Sequence, residues 1–347
     1  MQVSPMLCDG AKEKLLSLCL EVSLMKPLVR SRQPHQLLRR VGLCAFLLAG
    51  VLLAGVLWIP RAIASPNDIH LHFLYRGRDL RTTPEGLAND KRLRGLQQLD
   101  FALLSAELGF ALAEPLMAPA ETLGVAGFDI GVGLTVADIP EKSAHWARAV
   151  EDERPDNNVI ITRLRFRKGL PLSFEIEGSL GFIHDSSHML GGVAIKWALN
   201  EGFYYFPDIA VRVSINRLFN SRDLDLFNFT GDIIVSKHFA IAGMFLITPY
   251  LAYSLVWARS NSQVLDPTPK VFSDNESVAT GNFVFTTENA LGSRINFGLQ
   301  LVWYILNITL EGAFTIPNFS LVDPNNPGNR ITPATIGMFN AKFSLTF

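Results

Sequence analysis

The sequence has little cysteine, and all of it lies near one end. The three residues Cys8, Cys19 and Cys44 precede a predicted cleavage point after Ala64. A mature chain without thiols excludes disulfide bonds and cysteine-ligated metals. A Gly-rich phosphate loop between a strand and a helix is also missing, because the Gly-Val-Gly at 131–133 lies within an alternating segment. We therefore predict no cofactor and no metal site.

An excess of positive charge is missing as well. Residues 1–64 hold 8 of the 31 Lys and Arg and 3 of the 32 Asp and Glu, so the remainder carries a net charge of −6. Domains that bind nucleic acid usually present a basic patch or stripe. The charge balance therefore argues against nucleic acid as a partner.

A long uncharged run, Val41–Ile59, lies near the N-terminus between Arg39-Arg40 and Pro60-Arg61-Ala62-Ile63-Ala64. This order of basic region, apolar core and small-residue site is typical of a secretory signal peptide, and it predicts cleavage after Ala64. The length of the run leaves an uncleaved transmembrane anchor as the alternative. Met1 and Met25 both remain candidates for the initiator.

Residues 96–117 have the spacing of a helix, with a leucine-rich face that begins at Leu96 and includes Phe110. Pro115 and Pro119 mark the end of this helix. The segment is too short and too charged to span a bilayer comfortably.

From residue 123 onward the period changes to two. Alternate residues of a strand share one face, so Phe128, Ile130 and Val132 form an apolar stripe opposite Asp129 and Gly131. Nine more segments alternate in the same way. The pattern predicts ten strands, at 127–136, 160–167, 172–182, 193–199, 209–216, 227–236, 245–257, 294–303, 307–316 and 339–347. Twelve strands result if 283–287 or 69–75 also pairs.

The connections between these strands alternate in length. Long loops are expected at 139–157, 258–290 and 319–335, and short turns at 168–171, 200–207, 237–243 and 304–305. Short turns on one side and long loops on the other are typical of an outer-membrane barrel with both ends in the periplasm. Two alternatives stay open: a soluble sandwich, in which a second sheet would cover the apolar face, and a transmembrane helix at 241–257.

Closure of the sheet would turn its polar faces inward, because lipid contains no water to satisfy the peptide groups of an open edge. The candidate lumen-lining charges are Arg163, Arg165, Arg167, Glu175, Glu177, Lys196, Arg212, Asp232, Arg294, Glu311 and Lys342. A turn at 169–171 would place Arg165 opposite Glu175 and Arg163 opposite Glu177. Such pairs either brace the wall or form an ion-selectivity filter. We favour bracing, because paired charges cancel most of their field.

The inward face of the first strand is rich in glycine (Gly127, Gly131 and Gly133), which leaves space beside the wall. The helix upstream either enters that space as a plug or lies in the periplasm or at the membrane interface. A barrel of ten strands has a narrow bore that side chains largely fill. We therefore do not expect a wide diffusion channel.

One predicted outer turn, His184-Asp185-Ser186-Ser187-His188, carries side chains of catalytic type. A nucleophile needs a base and an orienting group within hydrogen-bond reach, which five consecutive residues do not readily provide. A metal site formed by His184, Asp185 and His188 is a second interpretation. Turns are rich in Asp and Ser for local backbone bonding. We therefore name no catalytic residue and do not expect an enzyme.

The last nine residues, Phe339–Phe347, alternate without interruption and end on an aromatic residue. This stretch resembles the closing strand of bacterial outer-membrane β-barrel proteins, and Leu108–Phe128 is similar to a segment of uncharacterised barrel proteins of Gram-negative bacteria. The resemblance implies an all-β fold, a closed antiparallel up-and-down transmembrane barrel in the bacterial outer membrane. It also implies that the barrel-assembly machinery reads Phe343, Leu345 and Phe347.

These expectations divide the chain into a pre-sequence and signal peptide (1–64), a linker with an amphipathic helix (65–121) and a transmembrane barrel (122–347). The expected partners are outer-membrane lipid and the assembly machinery, with small polar solutes as the candidate cargo. The first functional hypothesis is a narrow or plugged porin-like channel or transporter. The alternative is a non-conducting structural or adhesive barrel, and the third is an outer-membrane hydrolase.

Overall fold

The computed structural model describes residues 69, 71, 74, 91–149, 155–184, 186–203, 205–221, 223–241, 245–265 and 284–347, with side chains from residue 95 onward in the first long range. The predicted cleavage point after Ala64, both candidate initiators and Asp185 lie outside the described residues.

The described chain contains two helices, which we name α1 (Lys91–Leu112) and α2 (Ala144–Ala149). The strands are β1 (Phe128–Asp138), β2 (Asn158–Leu170), β3 (Phe174–Ile183), β4 (Met189–Asn200), β5 (Asp208–Phe219), β6 (Leu224–Ser236), β7 (Phe239–Ile241), β8 (Phe245–Ser262), β9 (Glu288–Trp303), β10 (Leu306–Pro317), β11 (Leu321–Asp323), β12 (Asn326–Ile331) and β13 (Ile336–Thr346).

Ten of these strands form a closed antiparallel barrel. They are β1 to β6, β8, β9, β10 and β13, each paired with its neighbour, and β13 closes the ring by pairing with both β10 and β1. In the closing pair Asp129 lies opposite Thr346, and Val136 lies opposite Phe339. The predicted ten-stranded barrel is confirmed, including the position of the terminal strand.

The two faces of the barrel have the inverse polarity of a soluble protein. Outward side chains are large, apolar and exposed, as at Ile195 (57%), Leu251 (58%) and Phe339 (55%), whereas inward ones such as Asn340 are polar and buried. In the described structure no second sheet covers the apolar exterior, so the sandwich alternative is wrong. An apolar exterior on a closed sheet suits lipid, because the closed sheet satisfies its own peptide groups.

The long loops and the short turns lie at opposite ends of the barrel, which we call the outer and inner ends. The outer loops carry structure that alternation did not predict. Helix α2 lies in the loop between β1 and β2, and the hairpin β11–β12 lies between β10 and β13. Strand β8 runs to Ser262 and β9 begins at Glu288, so the loop expected at 258–290 is shorter.

The strand predicted at 245–257 is confirmed as part of β8, so the alternative of a transmembrane helix in this region is wrong. At the turn expected at 237–243, β7 continues the register of β6 against β8, so the sheet extends past Lys237. The described residues 284–287 do not join the barrel, so they add no strand.

Helix α1 ends at Leu112, before the predicted end at 117. Pro115 has no amide hydrogen and its ring would clash with the carbonyl four residues earlier, while the residue before a proline avoids the α region. The chain from 113 to 123 therefore continues without helix. Within the described residues, no helix has the length and apolarity to cross a membrane.

The register predicted between the second and third strands is wrong: the partner of each β2 residue lies four positions further along β3 than predicted. Strand β2 extends to Leu170, and the turn is Pro171-Leu172-Ser173, with Leu172 and Ser173 at φ 64° and 60°. Arg165 consequently lies opposite Ser179 and Arg163 opposite Gly181. Pro171 stops the ladder because it has no amide hydrogen to donate.

The aromatic ring of Tyr250 on β8 occupies the space beside Gly298 on β9, and its hydroxyl donates to Glu311 Oε2 at 2.7 Å. A methyl group on Gly298 would overlap this ring. We expect Gly298→Ala to lower the free energy of unfolding by about 1–3 kcal/mol, the usual cost of overpacking. Urea unfolding in lipid vesicles, followed by tryptophan fluorescence, measures the effect.

Gly231→Ala is the matched control, because a Cβ at that strand position meets no atom within 4 Å. It should change the stability by no more than about 0.5 kcal/mol. Equal effects of the two substitutions would contradict a specific contact between Tyr250 and Gly298.

Candidate functional site

The lumen of the barrel is occupied by the chain itself. All residues from Phe101 to Ala120 are buried, which covers most of α1 and the segment after it. A helix that is buried on every side belongs to a protein interior rather than to a surface. We name residues 91–123 the plug, because they fill the space inside the sheet.

The plug packs against the wall through three clusters of side chains. Near the outer end, Phe101, Leu104 and Leu108 join a cluster of large apolar side chains that includes Trp146 of α2. A second cluster, which includes Ala106 of the plug and Ala258 of β8, lies on the opposite side of the barrel, and near the inner end Leu116 joins a cluster with Tyr250, Ala120 and others. Small side chains bring the backbones close: a Cβ on Gly109 would lie 2.6 Å from Cβ of Ala258.

The C-terminal end of α1 is bound by polar side chains of the wall. Arg294 donates to Phe110 O at 2.8 Å and to Glu114 O at 3.3 Å, and Arg163 Nη2 donates to Leu112 O at 3.0 Å. The last carbonyls of a helix have no partner within the helix and carry partial negative charge. The wall arginines satisfy these carbonyls inside the protein, where water is excluded.

The non-helical segment after α1 is bound in the same way. Arg165 Nη2 donates to Pro115 O at 3.2 Å and to Leu116 O at 3.1 Å, and Lys196 Nζ donates to Glu121 O at 2.8 Å. These residues lie on β2 and β4, so separate strands of the wall contact successive positions of the plug. Each contact joins a charged wall group to the main chain of the plug.

Acceptors on the wall bind the amide hydrogens of this segment. Met117 N donates to Glu311 Oε2 at 2.7 Å, and Ala120 N donates to the hydroxyl of Ser236 at 3.0 Å. Leu123 N donates to Glu175 Oε2 at 3.2 Å. An unpaired peptide group buried in the protein costs free energy comparable to a lost hydrogen bond. Wall side chains thus replace the hydrogen bonds that the plug backbone would make in a helix or in water.

All eleven charged lumen candidates lie on the inward face and are buried: Arg163, Arg165, Arg167, Glu175, Glu177, Lys196, Arg212, Asp232, Arg294, Glu311 and Lys342. The pairs differ from those predicted, because the register of β2 and β3 differs. Arg165 donates to Glu177, and Arg167 lies 3.4 Å from Glu175. Arg163 instead lies 3.8 Å from Glu114 of the plug.

These ion pairs extend around the wall from strand to strand. Arg212 joins Glu177, at 3.6 Å, to Asp232, at 3.0 Å. On the other side, Arg167 joins Glu175 to Asp129, which it contacts at 3.0 Å. The links join neighbouring strands, except that Arg212 on β5 reaches across β4 to Glu177 on β3, so the network braces the barrel as well as holding the plug.

Sequence reasoning missed two members of this network. Asp129 has the inward parity of its strand, so alternation could have identified it as a lumen charge. Glu114 accepts a hydrogen bond from Ser179 at 3.1 Å and lies 3.9 Å from Arg165. It had no recognisable signal, because its position depends on where the helix ends.

Acidic groups also surround the plug near the inner end of the barrel. Burial raises the pKa of Glu121, which lies 4.0 Å from Nδ1 of His238. Burial acts in the same direction on Glu201, but hydrogen bonds from Ser173 and Thr122 outweigh it and lower the pKa of Glu201. Thr122 donates to Glu201 Oε2 from both its amide and its hydroxyl, at 2.9 Å each. An ionised Glu201 thus fastens the plug beside the turn between β4 and β5.

The turn with the catalytic-type side chains lies at the outer end. His184 Nε2 is 2.8 Å from the hydroxyl of Thr162, and His188 Nδ1 is 3.3 Å from Asn220 O. Asp185 lies outside the described residues. Among the residues that the structure does describe, no group of three or more His, Cys, Asp or Glu is placed to hold a metal ion.

Glu177 lies between two buried arginines, so its charge should be important for folding. We expect Glu177→Gln to lower the free energy of unfolding by about 3–5 kcal/mol, because Arg165 and Arg212 would lose a buried counter-charge. Urea unfolding of the refolded protein in vesicles tests this.

Asp225→Asn is the control, because Asp225 pairs with an exposed residue, Arg217, at 2.9 Å. An exposed pair contributes at most about 1 kcal/mol. A Glu177→Gln variant no less stable than Asp225→Asn would show that the lumen charges are not mutually dependent.

The chain is similar to solved structures that include the outer membrane protease OmpT from Escherichia coli, with 14% identity over 64% of this chain and 96% of that chain and a TM-score of 0.31. A second is the outer membrane protein OprG from Pseudomonas aeruginosa, with 10% identity over 65% of this chain and 99% of that chain and a TM-score of 0.27. A third is Ail, the attachment invasion locus protein of Yersinia pestis, with 10% identity over 64% of this chain and 99% of that chain and a TM-score of 0.26.

Identities and TM-scores this low do not indicate which function this chain has. No protein-family model matches the sequence, and no curated protein matches it. The chain's own architecture places it in the outer membrane, since closed antiparallel barrels with an apolar exterior are the form in which strands span that membrane.

Proposed function

We propose that the protein is a non-conducting barrel in its resting state, with a structural or adhesive role at the cell surface. The observation that carries this proposal is the burial of every residue from Phe101 to Ala120 inside the sheet. A channel needs a continuous polar path. Here the polar wall groups are occupied by the main chain of the plug, so no such path is left for a solute.

The outer loops support the same proposal. Helix α2 and the hairpin β11–β12 lie at the outer end, and residues from Asn325 to Arg330 are exposed. Loops that are held by a rigid barrel and remain exposed are where binding functions commonly lie. A partner at the cell surface would meet these loops first.

Wild-type protein in planar lipid bilayers should give no steady conductance, because the plug fills the bore. Single-channel recording on protein extracted folded from outer membranes is the measurement. Altered electrophoretic mobility on heating verifies that the recorded sample is a folded barrel. A stable open state of the wild type would overturn the proposal.

A second candidate is a channel that opens when the plug withdraws. It is favoured by one observation: the wall charges contact the plug mainly through its backbone, so the wall is polar in its own right and would remain so after withdrawal. Seven of the buried charged residues of the wall are cationic, against six acidic ones, which are the four acidic candidates, Asp129 and Asp208. An emptied lumen would therefore carry a net positive charge, which favours small anions.

A variant lacking residues 65–118 should conduct, and its current should be anion-selective because the arginines that held the plug then face water. Reversal potentials in a KCl gradient measure the selectivity. Adding Arg163→Gln and Arg165→Gln to the deletion should shift the reversal potential toward cations. A folded deletion variant that stays silent, or one whose selectivity the two substitutions leave unchanged, would contradict the channel hypothesis.

A further inference from the structure

The N-terminal end of α1 lies at the outer mouth of the barrel. Gln98 donates to Glu288, the first residue of β9, at 2.5 Å and to Thr286 O, in the outer connection just before it, at 3.1 Å. Phe101 stacks on Phe285 with ring centroids 4.7 Å apart. A Cβ on Gly95 would lie 3.1 Å from Pro324, between β11 and β12.

The other end of the plug lies at the inner mouth. Thr122 is bound by Glu201, which follows β4 at the short turn before β5, and Lys196 binds the carbonyls of Pro119 and Glu121. The chain then enters β1 at Phe128, beside the terminal residue Phe347. At about 3.3 Å per extended residue, the stretch 113–127 is long enough to cross the barrel. The plug therefore runs from the outer mouth to the inner mouth in chain order.

The described residues upstream of α1 also lie at the outer mouth. Leu71 N donates to Asp223 Oδ2 at 3.1 Å, and Asp223 lies in the outer connection between β5 and β6. Leu71 and Leu74 are buried in the apolar cluster with Trp146 and Leu224. Three separate points, Leu71, Leu74 and the start of α1, thus place the N-terminal side of the plug on the outer side.

We propose that the chain enters the lumen from the cell surface, so that the residues just before the plug lie on the extracellular side of the membrane. The start of β1 and the end of β13 lie on the inner side, but the described residues before the plug, Ile69, Leu71 and Leu74, lie with the outer loops. The barrel thereby anchors this part of its chain outside the membrane. This inference does not depend on whether the barrel conducts.

Contacts with the outer loops hold the threaded chain in place. Glu107 of α1 accepts hydrogen bonds from Trp146 Nε1 at 2.6 Å and from Ala334 N at 2.8 Å, and it lies 2.7 Å from His145 Nε2. Two helical turns further out, Asp100 accepts a hydrogen bond from Arg148 of α2. The buried carboxylate of Glu107 thus joins the plug to two loops at once. Such fastening suits a segment that is anchored at the surface rather than one in transit.

The position of the N-terminal segment can be tested with an eight-residue hydrophilic epitope inserted between Asn67 and Asp68 of the full chain. Antibody binding to intact cells of a Gram-negative host reports exposure at the surface, because an antibody does not cross the outer membrane. We expect binding equal to that of the same epitope inserted after Asn329, an exposed residue of the outer hairpin. An epitope after Tyr205, exposed at the inner end, should bind only after permeabilisation.

Detection of the N-terminal epitope only after permeabilisation, like the Tyr205 insertion, would overturn the proposal. Should the insertion prevent assembly, Asn67→Cys replaces it, in a chain whose Cys8, Cys19 and Cys44 are changed to serine. A membrane-impermeant maleimide should label this cysteine on intact cells. Labelling only in broken cells would overturn the proposal. Neither readout depends on conductance, so its failure is distinguishable from failure of the proposed function.

Discussion

Hydrogen bonds from wall arginines to the main chain of the plug are the interaction on which the rest of the lumen depends. In lipid, a sheet must close to satisfy its own peptide groups, and closure leaves the polar side chains facing inward. A narrow bore has little room for water around those charges. The side chains of Arg163, Arg165 and Arg294 find their acceptors in plug carbonyls, and those carbonyls are free because α1 ends before Pro115.

The packing of the plug follows from the same arrangement. Backbone contacts require a close approach, and this explains why Gly109 and alanines such as Ala106 lie where the plug packs against the wall. Larger apolar side chains gather at the outer end, where the loops add Trp146 and Phe285 to the cover. The barrel and the plug therefore form one core, polar at the wall and apolar at the outer mouth.

Much of the barrel was predictable from the sequence, because the alternation that marks a strand involves only residues that are close together along the chain. The parity of a strand decides which side chains face lipid, so the outward positions of Phe339 and Ile195 followed from alternation. Register is different, because it depends on where a turn closes. The shift of the hairpin to Pro171-Leu172-Ser173 moved the partner of Arg165 from Glu175 to Glu177, which no alternation pattern could reveal. Helix α2 and the hairpin β11–β12 form against the plug and are likewise invisible to periodicity.

The sequence by itself determined which side chains of each strand share the apolar face and which share the polar face, because this depends on neighbours along the chain. Only the tertiary structure excluded a sandwich, fixed the number of barrel strands at ten and decided what fills the lumen and in which direction the plug runs. Contacts such as Arg294 to Phe110 O, and Met117 N to Glu311, join residues 184 and 194 positions apart. A hydrogen bond across such a separation leaves no periodic trace, because its partners become neighbours only when the sheet closes around the plug.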